Sequence, residues 1–423
     1  MNEPKLALLG GRPVIDSPYP VGPWVDSSEH EAVTRVLDSG CLSGFIGAPG
    51  PNFLGGPEVL GLEKAWSGIG SYLDVVALNS ATAGLHAGLA AMDLPLGSVV
   101  IVPPLTMSAT VAAVLLAGLK ARFADVDPSL FTLNAETVEK MLDDDVSAIV
   151  VVHLFGQMAP MNELRSLAAS RGLKILEDAA QAPGATQAGY WPGHGTMGAV
   201  FSLNQNKVIT CGEGGLLASN DPDVVERARL IRNHGESCVH AFPSVDAENI
   251  VGLNYRLTEI EAAIALAQTA KLEILNQHRI DLAARLSNRL RAVPGIEIPV
   301  IGQGNRHVYF TYALRLDSEM WEIPRSALVE ALRAEGVPCA PGYVDPLFRL
   351  PLFRRFGSKW DFDPALFPVS TRIADDELIL INACRWPSSN ELIDKVSDAF
   401  EKCWEGRKGL RVWMKEHLAR SSE

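Results

Sequence analysis

AIVVVHLF (148–155) and LKILEDA (173–179) are runs of apolar residues that hardly alternate with polar ones. A strand with one wet face alternates, so runs of this kind predict strands covered on both faces by other elements. Working outward, similar β-rich runs recur at VVAL (75–78), SVVIVP (98–103), ARFADVD (121–127), AVFSL (199–203) and GLLASN (215–220). Between several of them lie stretches that read as helices: Thr82 to Met92, Ser108 to Leu119, Ala135 to Leu142 and Met161 to Arg171. This repetition predicts an α/β fold with a mostly parallel seven-stranded sheet and right-handed crossovers. Ligands of such sheets sit beyond the carboxyl ends of the strands, so the residues just after each strand matter most.

After the sheet, a broadly amphipathic helical stretch runs from about Leu257 to Leu290 and is stopped by Pro294 and Gly295. HVYFTYALRL (307–316) predicts a strand, and Pro324 is expected to open a helix to about Glu335. Val337 to Ser370, rich in Pro, Gly and aromatics, is expected to be an ordered loop region. A last helix is expected from Glu391 to Trp404, with a charged tail after Arg407 that frays. The expected organisation is a large α/β domain with an N-terminal arm (1–256), a connecting long helix (257–293) and a smaller C-terminal α+β domain (294–423).

The 423 residues are 47% hydrophobic and 21% charged, which excludes a disordered tail, a collagen repeat and a disulfide-stapled miniprotein. Lys plus Arg is 37 and Asp plus Glu is 50, a net charge of −13. An acidic chain without a basic run is a poor nucleic-acid binder. The six cysteines form no CxxC pair, and no His/Asp/Glu cluster has metal-ligand spacing, so no metal is expected. The start, MNEPKLALLGGRPV, lacks the pattern of a signal peptide, and the most apolar window, Val111 to Leu119, is too short to span a membrane. These features predict a soluble, cytoplasmic protein with reduced thiols and no membrane contact.

The densest functional stretch is FSLNQNKVITCGEGG (201–215). By itself Lys207 reads as a solvated loop lysine, and the glycines after it as a bulge or close packing. Asp178, 29 residues earlier, ends an apolar strand, where an acid is costly unless paired or bonded. It reads either as a helix cap or as a carboxylate that holds a ring nitrogen protonated. Lys207 and Asp178 together are two parts of a pyridoxal phosphate site, the Schiff-base lysine and the pyridinium partner. The third part binds phosphate. NSATAGLHAGLAAM (79–92) follows a strand and opens a helix, with free N–H groups, small residues and the hydroxyls of Ser80 and Thr82. The plain alternative is an ordinary Ser/Thr cap. Ser202 adds another hydroxyl, though a serine at a strand edge is usually only that.

Seven segments together resemble the sugar aminotransferases of the DegT/DnrJ/StrS type, which are fold-type-I pyridoxal phosphate enzymes. They are NSATAGLHAGLAA, IVPPLTMSAT, VVVHLFGQ, ILEDAAQAPGA, FSLNQNKVITCGEGG, LIRNHGE and GLNYRLTEIEAAIA. The resemblance runs from about Val33 to the long helix near Arg291, and more weakly to the C-terminus. It implies that Lys207 forms the internal aldimine and later shuttles a proton, and that Asp178 pairs with the pyridine nitrogen. Gln181 would hydrogen-bond the cofactor's 3-oxygen. Thr82, Ala83 and Ser202 would hold the phosphate. Asn254 would reach the phosphate of the neighbouring subunit, making the active unit a homodimer with shared sites. Where the family usually places an aromatic ring over the cofactor, this chain has Met107, which covers a ring face but fixes it less tightly; alone it also reads as core filler.

The implied activity is transfer of an amino group from L-glutamate or L-glutamine to a ketone on a nucleotide-linked keto-sugar or a cyclitol. Three rivals stand beside it. One is a dehydratase of the same family, in which histidine typically replaces the lysine. The others are an aromatizing synthase and a non-catalytic cofactor-binding sensor or partner subunit. The Gly/Pro-rich loop GFIGAPGPNFLGG (44–56) is expected to border the active site. His153, His234 and His307 are assigned no role.

Overall fold

The structure, a computed structural model, describes residues 5–241, 250–302, 304–354 and 363–420. Two helices the sequence reading did not assign come first, α1 (Ser27–Ser39) and α2 (Pro57–Gly70). Strands and helices then alternate: β1 (Asp74–Leu78), α3 (Ala81–Ala91), β2 (Val99–Val102), α4 (Ala109–Leu116), β3 (Lys120–Phe123), α5 (Ala135–Glu139), β4 (Val146–Val152), α6 (Met161–Arg171) and β5 (Lys174–Asp178). A two-residue β6 (Thr186–Gln187) precedes β7 (Gly198–Ser202), β8 (Gly215–Ser219) and α7 (Pro222–Arg232), a third helix outside the sequence reading.

Seven of these strands form one sheet in the order β1-β8-β7-β5-β4-β2-β3. The pairs from β7 to β3 are parallel, whereas β8 runs antiparallel to both β1 and β7. Successive residues of β4 and β5 enter opposite cores. Ile149, Val151 and Ile175 lie in one, Ala148, Val150 and Leu176 in the other, so both faces are covered and the runs stay apolar. Helix α3 sits close against this sheet through Gly84 and Gly88. A Cβ at these positions would stand 2.8 Å from Val200 and 3.0 Å from Leu176.

The stretch from Leu257 to Leu290 is two helices, α8 (Glu259–Thr269) and α9 (Leu272–Leu290), not one. At the break Lys271 turns its ammonium to Glu29 on α1, 2.7 and 2.8 Å from its two carboxylate oxygens, and to Asp26 at 3.0 Å. A partner so distant in sequence leaves no trace in local periodicity.

Beyond α9 come β9 (Ile296–Glu297), β10 (Asn305–Arg306), which pairs with β6, and β11 (Tyr312–Leu316). Helices α10 (Ser318–Trp321) and α11 (Arg325–Ala334), strand β12 (Cys339–Pro341), helices α12 (Pro351–Arg354) and α13 (Pro368–Arg372), and strand β13 (Leu378–Ile381) follow. The chain closes with α14 (Asn390–Glu405) and α15 (Arg407–Arg420). An antiparallel sheet in the order β12-β13-β11-β9 shares its core with α9, α11 and α14 through Leu286, Leu314, Leu328, Ile379 and Phe400.

Four further expectations need correcting. The strand expected at 307–316 begins only at Tyr312. Before it, Tyr309 takes a φ of 48°, its N–H donates to His307 Nδ1 at 2.9 Å, and Arg279 ties down the carbonyls of Tyr309 and Phe310. ARFADVD is a strand only to Phe123, because Asp125 accepts the backbone N–H groups of Val369 and Ser370, each at 2.9 Å, from across the fold. The tail after Arg407 is helical through Arg420, with Leu410 buried. The loop region expected at 337–370 carries β12, α12 and short helical turns, and its residues 355–362 lie outside the described residues. Among the described residues no helix is long and apolar enough to cross a membrane.

Candidate active site

Sheet register brings the candidate residues to one edge. Leu78 at the end of β1 pairs with Gly215 at the start of β8, and Gly215 pairs with Ser202 at the end of β7. One strand further, Val200 of β7 lies beside Asp178, the last residue of β5. Helix α3 therefore begins at the same edge where Ser202 and Asp178 end their strands. Gly215 makes this approach possible, since a Cβ there would lie 2.3 Å from the Ser80 carbonyl carbon.

At the α3 N-terminus Ser80 caps the helix, its Oγ accepting from Ala83 N at 3.1 Å. The N–H groups of Ala81 and Thr82, in the first turn, have no acceptor within the helix. Ser202 Oγ is buried and accepts from Asn204 N at 3.3 Å, which leaves its own hydrogen to donate. A backbone cradle and a hydroxyl beside a helix N-terminus suit a phosphate.

Asp178 is 5% exposed. Its Oδ2 accepts from Thr110 Oγ1 at 2.9 Å and its Oδ1 from Ala180 N at 3.1 Å. Burial raises its pKa, opposed by these hydrogen bonds and by the nearby positive charge of Lys207. Among the described residues no cation bonds this carboxylate directly, so it suits a ligand that brings a protonated nitrogen.

Lys207 lies in the turn after β7, half-buried, with Nζ 4.7 Å from the centre of the Phe310 ring. Among the described residues its amine makes no hydrogen bond or ion pair. Burial lowers its pKa, while the charge of Asp178 works the other way. More of the amine is therefore neutral near pH 7 than for a free lysine, with its pKa of about 10.4.

Gln181 is buried, its Oε1 accepting from Phe155 N and its Nε2 donating to Tyr343 Oη, both at 2.8 Å. Fixing the oxygen in this way leaves a second Nε2 hydrogen for a ligand. Met107 precedes α4 after the end of β2 and is 54% exposed, which excludes the core-filler reading. Its carbonyl accepts from Thr110 N at 3.2 Å, so it stands one turn from the group that bonds Asp178. Carboxylate, amide, amine and phosphate cradle thus fit the parts of pyridoxal phosphate.

Asn254 is not drawn into this cluster. It is exposed, bridged through its backbone to Asn233. The loop at 44–56 packs beside that segment, where Asn233 Nδ2 donates to the carbonyls of Ile46 (3.1 Å) and Phe53 (2.9 Å). His153 is fully buried. Its Nδ1 accepts from Ala159 N at 3.1 Å, so its Nε2 donates to Glu177 at 2.7 Å. His307 is buried and its pKa falls to about 3, which keeps it neutral.

Thr110, Phe310 and Tyr343 escaped the sequence reading, as did two arginines. A cavity of about 230 Å³ next to Lys207 is also lined by Asn206, Trp24, Leu275, Arg279 and Arg385. Thr110 stands eight residues past the end of β2, in the first turn of α4, and only the packing of that helix brings its hydroxyl to Asp178, so no local signal marked it.

A family model described as the DegT/DnrJ/EryC1/StrS aminotransferase family matches residues 26–400. GDP-perosamine synthase from Caulobacter vibrioides is 33% identical over 328 residues, which cover 75% of this chain and 82% of that protein. The solved structure of DesI in the presence of its TDP-sugar product matches with a TM-score of 0.83 at 27% identity, over 98% of this chain and 99% of that one. That of 3-amino-5-hydroxybenzoic acid synthase matches with a TM-score of 0.79 at 25% identity, over 92% and 99%.

Proposed function

Because the chain belongs to the DegT/DnrJ/EryC1/StrS aminotransferase family, whose cofactor is pyridoxal 5′-phosphate, we propose that Lys207 is its reacting amine. The amino group passes from L-glutamate or L-glutamine to a ketone on a nucleotide-linked keto-sugar or a cyclitol. The observation that carries this reading is a half-buried amine without a hydrogen bond or ion pair, near a buried carboxylate that no cation bonds, among the described residues at one sheet edge.

Pyridoxal phosphate supplies an aldehyde carbon that takes up and releases nitrogen, and a ring that draws electron density from the carbon losing its proton. Thr82 at the α3 N-terminus, with the Ser202 hydroxyl, would hold the phosphate, and the Ala83 N–H would have to leave the Ser80 hydroxyl to join them. Asp178, oriented by Thr110, keeps a proton on the ring nitrogen. Gln181, oriented by Phe155 N–H and Tyr343, donates to the ring oxygen. Met107 covers a ring face. The Lys207 amine, kept partly neutral by burial, would be the group that holds the aldehyde carbon and the base that accepts and returns a proton at its Nζ.

The active unit in this reading is a homodimer, in which Asn254 reaches the phosphate site of the partner. Its exposure on the monomer surface supports that placement. Asn254→Ala should then weaken cofactor affinity by roughly 10-fold, the size of one hydrogen bond to a charged group. Equilibrium dialysis of the cofactor against the variant checks this, and unchanged affinity in a confirmed dimer counts against the placement. The six cysteines are all free thiols, which supports a cytoplasmic setting.

The function is tested by the absorbance of the purified holoenzyme before and after L-glutamate or L-glutamine is added without acceptor. Bleaching of the yellow band with release of pyridoxamine phosphate supports the reading. A yellow protein that no donor bleaches moves it to another donor or another reaction, and a protein that takes up no cofactor overturns it.

A further inference from the structure

The cavity beside Lys207 holds more positive charge than the amino transfer itself uses. Arg279 on α9 is 8% exposed, and its Nη1 donates to the carbonyls of Tyr309 and Phe310, 3.1 Å each. Arg385 lies in the turn after β13, and its Nε is buried without an acceptor. Among the described residues no carboxylate pairs with either guanidinium. Burial, and after it the nearby charge of the half-buried Arg385, lower the pKa of Arg279 to about 10.

The turn that carries Arg385 is held in place. Tyr19 Oη donates to the Ala383 carbonyl at 3.1 Å, Thr311 Oγ1 donates to Asn382 Oδ1 at 2.9 Å, and Arg385 N donates to Ala383 O at 2.8 Å. Two adjoining cavities of about 230 Å³ each share Asn206, Arg279 and Arg385, and one of them is lined by Lys207. Trp24 and Trp386, stacked with ring centres 5.0 Å apart, line the same cavity.

We propose that Arg385 and Arg279 form a subsite for an anionic oxygen group, a carboxylate or a phosphate, on the substrate that reacts at Lys207. A bound anion relieves the repulsion between the buried Arg279 and the half-buried Arg385 beside it, and the planar guanidinium presents paired N–H groups to either oxyanion. Asn206, at the junction of the two cavities and one residue before Lys207, ties the subsite to the reacting amine. The inference rests on reading Lys207 as that amine, and the subsite itself can be tested without turnover.

The experiment is calorimetric titration of the holoenzyme and of Arg385→Gln with two probes. Glutarate carries the donor's carboxylates without its amine, and inorganic pyrophosphate carries the diphosphate of a nucleotide-linked acceptor. Arg385→Gln should weaken one probe by roughly 10- to 100-fold, the loss of a charge-assisted hydrogen bond or a bidentate pair. Weakening of glutarate assigns the subsite to the donor carboxylate, and weakening of pyrophosphate assigns it to the acceptor. Arg385→Lys, which keeps the charge but not the fork, should fall between. Equal binding of both probes by wild type and Arg385→Gln, or no binding of either by wild type, overturns the subsite. If the proposed amino transfer fails instead, the donor leaves the absorbance unchanged while the calorimetric difference persists.

Discussion

Lys207→Ala should lower transamination by roughly 10³-fold or more, the loss of a positioned proton carrier together with the bonding amine. The variant should fold normally. Lys207 is half-buried in a turn, and the described contact of its amine is with the Phe310 ring. The phosphate cradle of α3 and Ser202 is untouched, so the variant should still take up pyridoxal phosphate, without the absorbance of the lysine-bonded form. Single-turnover mixing with L-glutamate checks the rate, and full activity sinks the mechanism. A companion result follows from the depressed pKa of Lys207. Only the neutral amine bonds the aldehyde, so reconstitution of the apoenzyme should speed up as pH rises. The rate should level off below the pH of about 10.4 at which a free lysine is half-neutral. A midpoint at or above that value contradicts the burial argument.

Asp178→Asn should separate activity from stability. Asparagine fills the same space and its one oxygen can still accept from Thr110, at the loss of the acceptor for Ala180 N, but it carries no charge to keep the ring nitrogen protonated. The rate should fall by roughly 10²–10³-fold, the scale for removing one preorganised electrostatic contact. The stability of the cofactor-free protein should change little. The folded-state pKa of Asp178 is raised, so the unfolded chain gives up this proton more readily. At pH values above the raised pKa the ionised carboxylate therefore opposes folding, and replacing it removes that opposition. Thermal unfolding of the cofactor-free protein at pH 7 should show Asp178→Asn within about 1 kcal/mol of wild type, because relief of the buried charge offsets the lost hydrogen bond from Ala180 N. A clear drop would mean that the carboxylate holds the fold together.

The strand runs at 148–155 and 173–179 were legible because a buried parallel strand needs no partner information beyond its own apolar side chains. Helix α6 was legible from end to end for a similar local reason, with an apolar stripe and Gly172 at its C-cap. Helices α1 and α2 went unassigned, although α1 carries a capping box from Asp26 to Glu29. The residues at 307–311 look like a strand because they are aromatic and β-branched, yet Arg279, far away on α9, holds their carbonyls in a loop.

By itself the sequence determined the α/β alternation, Asp178 at the end of its strand and Lys207 in the turn after its own, and the small-residue turn that opens α3. Each is a local pattern, set by side-chain period or by the residue types a strand end tolerates. The tertiary structure decided which edge these residues share, through the pairing of Leu78 with Gly215, Gly215 with Ser202 and Asp178 with Val200. It also decided what surrounds them. Thr110 bonds Asp178, Tyr343 bonds Gln181, Phe310 lies against Lys207, and Arg279 and Arg385 converge on one cavity. These contacts join residues 68 to more than 150 positions apart, and only the closing of the chain on itself brings such groups within bonding distance.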